Sequence, residues 1–139
     1  MRKCLLVMFL FMNSVCVAST DNINSKKLFT LVRTVCKDIR NHPEKFVKEL
    51  GGIVYVLDGE YGITKPLLGE KDKFFAKVSY PAKAKPIATY HSHPAMDAFF
   101  SSTDKTYAES TGLISFICLV DEARLLKYFP KNKNIMAAS

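Results

Sequence analysis

Only four of the 139 residues are cysteine, and no two of them stand at CxxC spacing, so no cysteine is a candidate metal ligand. Beyond the first twenty residues no apolar run approaches the roughly 20 residues that a membrane span requires. There is no internal repeat and no low-complexity tract. Nucleic-acid-binding motifs are missing as well, and the aromatics are interleaved as core residues instead of forming a stacking platform. Acidic residues are outnumbered, with 13 Asp and Glu against 20 Lys and Arg, for a formal charge of +7. The excess gathers at Lys71, Lys73, Lys77, Lys83 and Lys85. This reads first as a solvated, soluble surface, and second as a face for an anionic partner such as a cell-envelope polymer.

The N-terminus differs in kind from the rest. Arg2 and Lys3 precede an apolar stretch from Cys4 to Met12, and Cys16 and Ala18 occupy the −3 and −1 places of a cut after Ala18. Residues 1–18 therefore read as a secretory signal peptide, which places the mature chain in the periplasm or outside the cell. No stable membrane span is expected after cleavage, and the formal charge falls to +5. Cleavage would also leave only Cys36 and Cys118. In an oxidising compartment these could form one disulfide, but each sits in an apolar pattern where a buried thiol is ordinary.

Periodicity then orders the remainder. Leu28, Leu31, Val32, Val35, Cys36 and Ile39 form one apolar stripe, which predicts an amphipathic helix from Lys26 to about Asn41, capped by Ser25 and ended by His42-Pro43. Glu44 to Lys48 is a turn or a second helical piece. Ile53–Leu57 and Tyr61–Thr64 flank Asp58-Gly59 as a hairpin. Leu67 to Asp72 reads as a loop, and Lys73 to Val78 as extended or irregular. A strand from Ile87 to His93 follows the Pro81–Pro86 linker. A helix from about Thr103 to Ser110 is capped by Ser101 or Ser102 and closed by Gly112. Leu113–Val120 and Ala123–Phe129 are final strands, and residues 131–139 form a tail. The result is an α+β domain over residues 26–130, built on a single central mixed sheet flanked by helices.

The chemistry concentrates in residues 91–104. His91 and His93 stand two apart at the end of an apolar strand, so both imidazoles project from one side of it. With Asp104 they make a three-donor set with an open fourth position, the arrangement of a catalytic zinc site. Such an ion lowers the pKa of a bound water toward about 7. A carboxylate outside the ligand set must then carry the proton. Glu60 in a hairpin turn and Glu70 in a loop are poorly placed. Glu49 opens a buried strand and is followed by two glycines, so it is the chosen base, with Glu44 second.

His91-Ser92-His93-Pro94, followed by Ser101 and Asp104, resembles the JAMM (MPN+) metalloprotease motif at each defining position. Glu49 through Tyr55, and the closing stretch from Ile114 to Phe129, are similar to a small secreted bacterial branch of that superfamily. The resemblance implies a JAMM/MPN-like fold, a cytidine-deaminase-like sandwich, with His91, His93 and Asp104 as ligands of Zn2+. It also implies Glu49 as general acid/base, Ser101 as hydroxyl donor to the oxyanion, and a peptide or protein substrate cut at a peptide or isopeptide bond. Ser92 and Pro94 would shape the strand end. Only 35 residues follow Asp104, which leaves no room for the long insertions of ubiquitin-specific members. The competing readings are a catalytically silent, zinc-stabilised binding or accessory module, and a secreted toxin domain. Ser101 doubles as a helix cap, His42 reads as a surface residue, and Phe99 and Phe100 belong either to a substrate groove or to the core. Oligomeric state is not readable from these residues.

Overall fold

A computed structural model describes residues 23–69 and 78–131. The expected leader, the Lys73–Lys77 stretch, Glu70 and residues 132–139 lie outside the described residues. The chain runs α1 (Ser25–Arg40), β1 (Leu50–Leu57), β2 (Glu60–Ile63), β3 (Leu67–Leu68), β4 (Lys85–Ser92), α2 (Ser102–Thr111), β5 (Ile114–Cys118) and β6 (Leu125–Tyr128). The sheet is mixed, in the order β2-β1-β4-β5-β6, with β3 also pairing with β1. All pairings are antiparallel except β4 with β5, and the crossover between those two strands is α2. Among the described residues no helix is long and apolar enough to cross a membrane.

The apolar stripe of α1 works as its spacing predicts: Leu28, Val32, Val35, Cys36 and Ile39 are all buried. They pack with Leu50, Val54, Ala88, Tyr90, Phe116 and Cys118 in one cluster. Each such side chain contributes about 1.5–3 kcal/mol on burial, so this layer is the main source of stability. The helix begins one residue early, because the Asn24 side chain and not Ser25 accepts the Lys27 N–H at 3.1 Å. Side chains alternate across the sheet. Tyr90 therefore faces α1, while His91 faces Asp104 on α2, so the helices cover opposite faces.

The strands β2, β5 and β6 fall within a residue or two of expectation, whereas β1, β3 and β4 depart from it in instructive ways. β1 starts at Leu50, through Gly51 and Gly52, because both neighbouring strands approach it too closely for side chains. Leu67–Leu68 is not a loop: it pairs with Leu50 and Gly51. β4 begins at Lys85 and ends at Ser92, one residue short of His93. Its register slips opposite Val54 and Tyr55, beside Pro86, which has no N–H to give the ladder. The Asp58-Gly59 hairpin holds, with both residues at positive φ (50° and 82°) as a two-residue turn of this hand requires.

Cys36 of α1 and Cys118 of β5 are joined by a disulfide across the core. This resolves the alternative that the sequence left open. The bridge closes a loop between positions 82 apart, which restricts the unfolded chain by about 4 kcal/mol. Reduction, or paired replacement of both cysteines by alanine, is expected to lower the unfolding free energy in urea by roughly 3–5 kcal/mol. An unchanged urea midpoint under reductant would show that the bridge contributes nothing.

Candidate metal centre

His91 leaves the end of β4 toward α2 and is buried, whereas His93 stands just past the strand on the following turn. Their Nε2 atoms approach within 3.0 Å. Asp104, in the first turn of α2, brings Oδ1 to 3.3 Å from His91 Nε2 and Oδ2 to 3.6 Å from His93 Nε2. The 3.0 and 3.3 Å separations from His91 Nε2 lie near the edge, about 3.3 Å, of a tetrahedron with metal–donor bonds of roughly 2.0–2.1 Å. Donor atoms from all three residues lie within 4.8 Å of one another, so His91, His93 and Asp104 can hold a metal ion. Two imidazole nitrogens and a carboxylate oxygen are a donor set that divalent transition metals, zinc among them, accept.

Local structure presets each donor. The Ser101 hydroxyl accepts the Asp104 N–H at 3.1 Å, and Asp104 Oδ2 accepts the Ser101 N–H at 2.8 Å. This reciprocal cap starts α2 and fixes the carboxylate at once. Ser101 is thus the helix cap. Because its oxygen accepts there, its hydroxyl proton is still available for donation. His93 Nδ1 lies 3.1 Å from the Asp97 carbonyl. A carbonyl can only accept, so Nδ1 carries a proton, and in the neutral ring it is Nε2 that offers a lone pair to the site. Met96, at φ 59°, turns the backbone that aims this carbonyl.

Gly51 is the cross-strand partner of His91. A Cβ at position 51 would come within 2.9 Å of both Cα and Cβ of His91, closer than real Cβ contacts allow. Only glycine lets β1 lie flat against the ligand strand here. The same alternation that turns Leu50 toward α1 turns Glu49 to the face of Gly51 and His91. Glu49 is half-buried, and its charge contributes to raising the His93 pKa. Glu44, the second choice as base, is instead ion-paired with Lys48 at 3.1 Å, and Glu60 is exposed in its hairpin. His42 Nδ1 accepts the Glu44 N–H within its own turn. Phe99 is 60 % exposed and so is not core, while the Phe100 ring packs 5.6 Å from that of Tyr128.

The electrostatics of the site suit cation binding. Burial works to raise the Asp104 pKa, but hydrogen bonds from His91 and His93, the attraction of His91 and the bond from Ser101 outweigh it. The carboxyl is held well below the usual carboxylate range. At His93 burial works downward. The hydrogen bond and charge of Asp104, the Asp97 carbonyl and the charge of Glu49 overcome it, so the pKa is raised.

An α+β sandwich with two histidines and an aspartate that could hold a metal ion at one end of its sheet has the arrangement of a JAB/MPN-like domain. Residues 39–129, well over half of the chain, match the Prok-JAB family, the prokaryotic homologs of the JAB domain. The chain belongs to that family, and the match covers every residue of the site. No curated protein and no solved structure matches it.

Gly51→Ala should displace His91 and weaken zinc binding at least tenfold by titration calorimetry; an unchanged affinity would remove Gly51 from its role. The site should also respond to pH. His93 has a raised pKa in the metal-free fold, so its contribution is present below about 6.5 and is lost as pH rises through the folded value. The Asp104 contribution is already complete above about 4 and persists across this window. EDTA-treated protein should therefore melt at a lower temperature at pH 8 than at pH 5.5. The added stability from zinc should grow over the same interval, since protons no longer compete for the ligands. A metal-free melting temperature that rises with pH would contradict this assignment.

Proposed function

We propose that the chain is an exported zinc-dependent hydrolase of peptide or isopeptide bonds. The observation that carries this reading is a preset donor triad with a second carboxylate, Glu49, on the same face of the sheet. When bound, zinc supplies Lewis acidity toward the scissile carbonyl and lowers the pKa of water. His91, His93 and Asp104 would hold the ion, with donors that are already oriented by their own hydrogen bonds. Glu49 takes the proton from the attacking water and delivers it to the leaving amine. The Ser101 hydroxyl donates to the oxygen that becomes negative as the carbonyl is attacked, while its oxygen continues to cap α2.

Export is supported by the N-terminal pattern of charge, apolar run and small residues, and by the Cys36–Cys118 bridge, which persists in oxidising compartments. A peptide or protein outside the cytosol is accordingly the substrate class. The mature chain would start after Ala18.

The wild-type protein should carry about one zinc per chain, and His91→Ala or Asp104→Ala should lose it by elemental analysis. Glu49→Gln should keep the metal and lose at least 100-fold in turnover, measured on peptides that the wild type cleaves in a mass-spectrometric library screen. Full turnover by Glu49→Gln would remove Glu49 as the base. A folded, metal-free protein that takes up no zinc would sink the hydrolase reading altogether.

A further inference from the structure

Ser92 sits between the two histidine ligands yet points away from them. It is fully buried, on the α1 face of the sheet, with Cys118 as its cross-strand partner and Leu50 and Tyr90 in the same apolar layer. A hydroxyl in such a layer is costly unless it is hydrogen-bonded. Packing alone would be served by alanine, which occupies Ala88 of the same strand face.

What the hydroxyl does is visible at the start of β1. The paired residues of β1 and β4 end at Gly51 and His91, so the buried Leu50 stands one step beyond them. The Leu50 N–H donates to Ser92 Oγ at 3.0 Å, across 42 positions of sequence. On the other side, the Glu49 carbonyl accepts the Gly69 N–H at 2.8 Å. These two bonds grip the two ends of a single peptide group, the one that joins Glu49 to Leu50. Its plane sets the ψ angle of Glu49, and therefore the angle between the Glu49 side chain and the strand that lays Gly51 against His91.

We propose that Ser92 is a positioning residue that fixes Glu49 relative to the metal ligands on either side of Ser92 itself. The proposal rests on the reading of Glu49 as the base, but its geometric content can be tested without turnover. Cobalt serves as the probe, because a paramagnetic ion in the site shifts the proton resonances of Glu49 according to their position. In Ser92→Ala, exchange of the Leu50 amide should quicken at least tenfold while that of Val54, deeper in β1, changes less than threefold. The cobalt-induced shift of the Glu49 side-chain protons should fall by half or more. Ser92→Thr, which keeps the hydroxyl, should restore both readouts. Should Ser92→Ala fail to fold, Ser92→Cys keeps the shape, weakens the acceptor and should move both readouts the same way.

Equal acceleration at Leu50 and Val54 would mean general loosening and would overturn the proposal, as would a Glu49 shift unchanged in Ser92→Ala. Failure of wild type to take up cobalt would count against the metal reading instead, and Leu50 exchange would then decide the role of Ser92. Full turnover by Glu49→Gln would sink Glu49 as base and leave the geometric result standing.

Discussion

The Asp104 carboxylate serves two structures at once: Oδ2 accepts the Ser101 N–H that starts α2, and both oxygens face imidazole nitrogens at 3.3 and 3.6 Å. A half-buried carboxylate in that place is tolerable because each demand helps to meet the other. The cap fixes the rotamer that the site needs, and the site keeps the group ionised so that it can cap. Replacing it therefore disturbs helix, ligand set and charge balance together. The rest of the fold delivers its partners: β4 carries His91, the turn after it carries His93, and the β4–α2–β5 crossover brings the helix start back over the strand end.

The opposite face explains why this geometry can be rigid. The α1 stripe and the buried side chains of β1, β4 and β5 make one continuous apolar layer, crossed by the Cys36–Cys118 bridge. The candidate metal donors lie on the other face, where Gly51 permits close strand approach and Glu49 shares their side. Tyr90 belongs wholly to the structural side; its hydroxyl donates to the Thr64 carbonyl, and burial pushes its pKa up. Alternation along β4 thus separates stability from function within adjacent residues, with Ser92 as the point where the two faces communicate.

Much of this architecture is legible in the sequence. The 3.6-residue period of α1, the Asp58-Gly59 turn and the Ser101–Gly112 helix limits depend on local chemistry, and local chemistry can be read along a chain. The ligand triad is legible because its members fall within fourteen residues. Features created by strand pairing are not. Leu67–Leu68 has no alternation to mark it and becomes a strand only through Leu50 and Gly51. β1 begins at Leu50 because two glycines admit close neighbours, a property that propensity counts against a strand. The cap at Asn24 in place of Ser25 is a choice between two competent side chains one residue apart. Nor does spacing show that Ser92 reaches Leu50, or that the Asp97 carbonyl fixes the His93 tautomer, since both bonds depend on how the chain turns after β4.

What the three donors hold decides between a zinc hydrolase and a fold that merely resembles one. X-ray absorption at the zinc edge on the purified protein measures this directly, in the first coordination shell. It should show only nitrogen and oxygen neighbours at about 2.0–2.1 Å, with the outer-shell scattering of two imidazoles. A sulfur shell near 2.3 Å, or an absorption edge too weak for stoichiometric zinc, would contradict the assignment of His91, His93 and Asp104 as its ligands.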